Sequence, residues 1–142
     1  MSDEATTLTR KSAMKVTVST AKDPRYIKGR REFFKYRELG VTEGTGGRMR
    51  AQVTSASQGL SRPTGWHRHV CEMQLVYMLS GWLELDFEDG GLVRLEAGDS
   101  VMIPGGAAHN ETRTSDNFEL LEVSVPADMG TEPCDPPAGR LG

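Results

Sequence analysis

Short runs of alternating or apolar residues, each cut off by turn chemistry, recur through this chain. Trp82-Leu-Glu-Leu-Asp-Phe87 alternates with the two-residue period of a half-buried strand and stops at Glu88-Asp89-Gly90-Gly91, a hairpin signal. Residues 92–95 end at Ala97-Gly98-Asp99, and residues 100–103 end at Pro104-Gly105-Gly106. Residues 49–53 run into a Ser/Gly/Pro stretch over 55–65, residues 75–79 stop at Ser80-Gly81, and residues 118–125 form the last strong run. Residues 66–71 can hold one further short strand. Upstream, Val16-Thr-Val18 precedes Asp23-Pro24, and Phe33-Phe34-Lys35-Tyr36 precedes a glycine-rich turn. Only residues 24–39 leave room for a helix, and their aromatic cluster favours a strand there too. The pattern predicts an all-β sandwich or barrel, because short strands split by turns every ~8–12 residues are the mark of those folds.

Length and composition narrow the picture. At 142 residues the chain is expected to be one domain. With 37% apolar residues it has enough to bury a core, and its 16 glycines and 7 prolines argue against a helical bundle. The expected organisation is a disordered tail over 1–14, an arm over 15–44, a barrel over 45–126 and an extended tail over 127–142. No stretch is apolar for long enough to span a bilayer. The polar start lacks the apolar core of a signal peptide, and two cysteines, Cys71 and Cys134, do not make a disulfide scaffold. These features predict a cytoplasmic protein.

The net charge of −3 hides an asymmetry: residues 1–37 carry +6 and residues 38–142 carry −9. A basic arm can contact nucleic acid or an anionic surface, but no nucleic-acid signature accompanies this one. A basic edge packed on an acidic body, the chain's own or a partner's, explains it with less.

The chain has three histidines, His67, His69 and His109. His67 and His69 are two apart, so on a strand both imidazoles leave the same face. His109 follows a turn forty residues on. Two ligands from one strand and a third from another is a common way to hold a metal in a β scaffold, and imidazole suits zinc, iron, copper or nickel. Each histidine taken singly is better explained as filling a polar gap, but three in this spacing are not.

At these residues a resemblance emerges. Residues 65–113 resemble the two signature segments of the cupin superfamily. The first segment corresponds to His67-Arg-His69, then Gln74 and Gly81; the second to Gly98, Pro104-Gly105-Gly106 and His109. Three positions depart from the family pattern. Ser61 stands where the leading glycine is expected, Arg113 where an asparagine often closes the second segment, and Gln74 where the carboxylate ligand is expected. Glu72 is spaced too close to His69 to replace that carboxylate.

The resemblance implies a double-stranded β-helix (a jelly-roll-like barrel) with an N-terminal strand-like arm. It also implies a metal centre of His67, His69, His109 and Gln74 holding Fe2+, Mn2+, Ni2+ or Zn2+. A neutral amide ligand leaves the ion its full charge, binding it less tightly but making it a stronger Lewis acid. Two functions follow as expectations: a non-haem dioxygenase-like oxidoreductase acting on a small molecule, or a non-catalytic binding or sensor protein. Arg113 is a candidate to hold a substrate carboxylate, with a surface ion pair to Asp116 or Glu119 as its rival. Cys71 is either a redox or ligand thiol or a small buried hydrophobe. Tyr77 and Met78 are expected on opposite faces of one strand, and Trp66 and Trp82 in the core or an interface. Apolar residues on both faces of several strands predict a homodimer that covers sheet edges.

Overall fold

The computed structural model describes residues 14–28 and 33–140. The tail expected over 1–14 therefore lies, apart from Met14, outside the described residues. Within them the chain forms β1 (Arg25–Ile27), β2 (Phe34–Glu38), one helical turn α1 (Val41–Gly44), β3 (Arg50–Ala56) and β4 (His67–Val70). It continues with β5 (Met73–Ser80), β6 (Trp82–Phe87), β7 (Gly91–Glu96), β8 (Ser100–Pro104), β9 (His109–Thr114), β10 (Phe118–Val125) and β11 (Gly130–Pro133).

The strands assemble into two antiparallel sheets, one ordered β1-β2-β3-β10-β5-β8 and the other β11-β4-β9-β6-β7. From β4 onward the chain crosses repeatedly between them: β5, β8 and β10 lie in the first, and β4, the β6–β7 hairpin, β9 and β11 in the second. That winding is the double-stranded β-helix. No helix among the described residues is long and apolar enough to cross a membrane.

Alternation along β5 shows how the interior is divided. Gln74, Val76 and Met78 are buried, whereas Tyr77 and Leu79 face outward. Val76 and Met78 join Leu83, Leu85, Ile103 and Phe118 in the apolar core, and Gln74 stands at its polar end. Met78 and Leu85 are almost fully buried, a burial worth roughly 1.5–3 kcal/mol for each side chain. Apolar packing thus holds one part of the barrel shut and leaves the other for polar chemistry.

Three segments differ from expectation. Residues 16–18 form no strand: Val16 and Val18 are exposed, and the segment is tied down instead by Lys15 N–H donating to Gly44 O and Thr17 Oγ1 donating to Gly40 O. The stretch after Pro126 is more than extended chain, since β11 pairs with β4 along residues 130–133. β9, which no apolar run announces, lies between β4 and β6 in the second sheet.

Candidate metal centre

β4 and β9 are neighbours, with His67 directly opposite His109 in the register. Their alignment depends on the turn Pro104-Gly105-Gly106. A side chain on Gly105 would run into the Cys71 carbonyl, and Gly106 has φ +85°, so the turn requires glycine at both positions. Gly105 N–H donates to Glu72 O and Gly106 N–H to His69 O, each at 3.0 Å. These bonds clamp the start of β9 onto the end of β4. The spacing Pro-Gly-Gly-x-x-His is thereby a device for placing His109 beside His67 and His69.

The three rings form a near-equilateral cluster, with centroids 5.0 Å apart for His67–His69, 4.5 Å for His67–His109 and 5.1 Å for His69–His109. One nitrogen of each lies within 4.8 Å of the others. The opposite nitrogens are anchored. Nδ1–H of His67 donates to Gly65 O (2.7 Å) and that of His109 to Ala107 O (3.0 Å), and Nδ1 of His69 is hydrogen-bonded to Thr131 Oγ1 (3.0 Å) on β11. Spending the Nδ1 protons of His67 and His109 on carbonyls leaves their Nε2 lone pairs for the centre, and the Thr131 bond orients the His69 ring in the same way, as metal-ligating histidines require.

Electrostatics favour the neutral form of His69 and His109. Burial, then the proximity of His109 and His67, pushes the His69 pKa down to about 4. Burial also lowers that of His109. At this site two buried atoms are among those that lack a hydrogen-bond partner: Nε2 of His109, a residue with 0% exposure, and Oε1 of Gln74, a residue 5% exposed. Leaving such atoms unpaired costs about 1–3 kcal/mol each. Gln74 also hydrogen-bonds Glu122. That bond pulls the Glu122 pKa down, as a donor to a carboxylate does, so the amide nitrogen is used there and the oxygen is left over. Three imidazole nitrogens and an amide oxygen suit a divalent transition ion.

Two carboxylates in this region were not anticipated. Glu111 lies two residues beyond His109 on β9, with Oε2 3.3 Å from Nε2 of His67 and Oε1 3.8 Å from Nε2 of His109. Thr64 Oγ1 donates to Glu111 Oε2 at 2.8 Å. Burial alone would raise this carboxyl, but His67, His109 and the Thr64 bond together hold it below the ordinary range. Glu122 on β10 receives Arg50 Nη2 at 3.3 Å, and burial dominates to push its pKa up. The rule that placed His67 and His69 on one face also places His109 and Glu111 together; the i, i+2 spacing was the available signal.

The remaining candidates lie elsewhere. Arg113 is on the outer surface, 69% exposed, with Nε 3.5 Å from Glu84 Oε1 and its guanidinium 5.4 Å from the Trp82 ring centre. It does not line the cavity, because β9 is bulged opposite Glu84/Leu85 and turns it outward; its ion-pair partner is Glu84 rather than Asp116 or Glu119. Cys71 stands outside the histidine cluster, and its thiol pKa is pushed up by burial and by Glu72, which suits a protonated thiol. Glu72 is exposed in the β4–β5 turn. Trp66 is buried against the cavity, and Trp82 lies under Arg94, 4.1 Å from the ring centre.

His67, His69 and Gln74 open onto a cavity of about 740 Å³ between the sheets, and His109 is buried beside them. Its walls mix apolar groups such as Phe34, Leu60 and Phe118 with the polar side chains of Arg50, Gln52 and Thr54.

Residues 56–124 match the family described as Cupin domain. No curated protein matches the sequence. Solved structures with the same fold include KdgF from Halomonas sp., 16% identical with a TM-score of 0.63, covering 79% of this chain and 94% of that one. An RmlC-like cupin from Shewanella frigidimarina is 18% identical with a TM-score of 0.60, covering 81% and 95%. The polyketide cyclase RemF from Streptomyces resistomycificus is 20% identical with a TM-score of 0.65, covering 87% and 89%. Fold, signature segments and family match agree: residues 56–124 form a domain of the cupin superfamily.

Proposed function

We propose that the protein is a metal-dependent enzyme acting on a small oxygen-bearing molecule, with His67, His69 and His109 as ligands and the Gln74 amide oxygen as the fourth. The observation that carries this reading is the convergence of three Nε2 atoms, each ring anchored through Nδ1, beside the carboxylate of Glu111. A bound Fe2+, Mn2+, Ni2+ or Zn2+ ion supplies Lewis acidity toward a substrate oxygen. Glu111, ionised at neutral pH and steadied by Thr64, accepts the proton that the substrate gives up.

This pairing of Lewis acid and base suits proton removal beside a carbonyl, the step shared by many lyases, isomerases and cyclases. The fold neighbour RemF, a polyketide cyclase, is consistent with it at the level of fold. With iron, the same residues suit the dioxygenase-like oxidoreductase expected from the sequence, with Glu111 deprotonating the substrate. A non-catalytic binding or sensor protein is the second reading, favoured by the uncharged Gln74 at the usual carboxylate position.

The test is metal analysis of protein purified without added metal, followed by turnover assays of catechols, flavonols, diketones and keto acids in air and under argon. Turnover under argon supports the lyase-type reaction, and O₂ uptake with iron supports the oxygenase. Ligand binding without turnover under any metal supports the binder. A homodimer is part of the proposal: Met73, Tyr77 and Leu79 of β5 and Met102 of β8 leave an exposed apolar strip on the outer face of the first sheet. Light scattering at micromolar concentration should give twice the chain mass.

A further inference from the structure

The sheet that faces the histidines carries polar chemistry the metal centre does not use. β3 turns Arg50, Gln52 and Thr54 into the cavity at every second position. Gln52 and Thr54 are each only 5% exposed, yet Gln52 Oε1 and Thr54 Oγ1 have no hydrogen-bond partner. Arg50 gives Nη2 to Glu122, while its buried Nε is also unpartnered. A strand built only for packing would carry apolar residues at these positions, as β5 does at Val76 and Met78. Three unpaired buried atoms in one row lower stability unless ordered water or a ligand in the cavity satisfies them.

Their chemistry selects the ligand group. Gln52 Oε1 only accepts hydrogen bonds, so it repels a carboxylate or phosphate oxygen. Arg50 Nε only donates, so it repels an ammonium. A hydroxyl both donates and accepts, and satisfies Gln52, Thr54 and Arg50 alike. Phe34, Phe118 and Leu120 line the same cavity and offer apolar surface for C–H faces. We propose that Arg50, Gln52 and Thr54 form a subsite for the hydroxyls of a polyhydroxylated small molecule, whose other end presents a carbonyl or carboxylate oxygen to the three-histidine centre. The placement of that other end rests on the metal-dependent reading above; the hydroxyl subsite itself does not.

Isothermal titration of the metal-loaded protein with D-gluconate and with hexanoate tests this. Both probes carry a carboxylate on a six-carbon skeleton, and only gluconate carries hydroxyls. Gluconate should bind at least about tenfold more tightly, because a site built to hydrogen-bond hydroxyls rejects the analogue lacking them. Gln52→Leu and Thr54→Val should each weaken gluconate binding about tenfold without changing metal content, and Thr54→Ser, which keeps the hydroxyl, should restore it. The proposal is overturned if hexanoate binds as tightly as gluconate, or if gluconate shows no binding up to about 10 mM. It is equally overturned if correctly folded Gln52→Leu and Thr54→Val proteins bind gluconate like the parent. Sorbitol titrated into metal-stripped protein separates the two readings. Gln52-dependent sorbitol binding in a protein that takes up no metal leaves the subsite standing and removes the metal-dependent function. Normal metal uptake without discrimination between gluconate and hexanoate does the reverse.

Discussion

Glu111 places Oε2 3.3 Å from Nε2 of His67, from a position two residues along β9 from His109. The contact puts a negative charge beside the ring nitrogens that converge on the proposed metal centre. The cupin pattern expects a carboxylate at position 74, where this chain has an amide, and β9 supplies one from another direction.

Replacing that carboxylate separates chemistry from metal binding. Glu111→Gln keeps the shape and the acceptor for Thr64 but removes the base. It should lower kcat about 10²–10⁴-fold, the usual contribution of general acid–base catalysis, while metal content stays near that of the parent. Steady-state kinetics alongside metal analysis checks this. Unchanged kcat would take the base role away from Glu111.

Gln74 is tested by the sign of the change. Gln74→Glu adds a negative charge to the ligand set, and carboxylate oxygens hold divalent ions more tightly than an amide does, so affinity should rise. Gln74→Ala should weaken affinity, and competition with a chelator measures both. If both variants bind metal like the parent, three histidines act without Gln74.

Metal-free protein should be sensitive to acid. The His69 pKa is held down to about 4 in the fold, against an ordinary value of 6.5. The unfolded chain therefore takes up this proton at a higher pH than the folded chain. The stability contributed by the neutral ring is complete above about 6.5 and is lost as pH falls through about 4. His109 and Glu111, both lowered, act in the same direction. Thermal melts after chelator treatment should show Tm falling across this window, and a flat profile would contradict it.

Arg113, on the surface beside Glu84 and Trp82, should matter little. Arg113→Ala should change stability by no more than about 1 kcal/mol, the scale of an exposed ion pair, and should leave ligand affinity unaltered. Chemical denaturation and titration of the same ligand measure the two effects.

The legible parts of the fold were those where packing decides. β6 and β10 announce themselves because their inward positions, such as Leu83, Leu85, Phe118 and Leu120, are apolar. β9, His-Asn-Glu-Thr-Arg-Thr, has no apolar residue, because its inward face carries site chemistry. β11 is four residues with a proline, and its pairing to β4 is a tertiary choice that local propensity does not reveal. Val16-Thr-Val18 is the converse: good strand propensity that ends without strand pairing. The histidines were readable from period-two spacing and the Pro-Gly-Gly turn. Gln52 and Thr54 were not, since a polar residue on a strand reads as solvent-facing until the opposite sheet is in place.

The central claim is that His67, His69 and His109 hold one divalent ion. Metal analysis of the parent and of His69→Ala and His109→Ala, all purified without added metal and shown to be folded by circular dichroism, tests it most directly. The parent should carry about one transition ion per chain and each variant well under a tenth of that, because the site loses one of its three imidazoles. Equal metal content in the parent and both folded variants would contradict it.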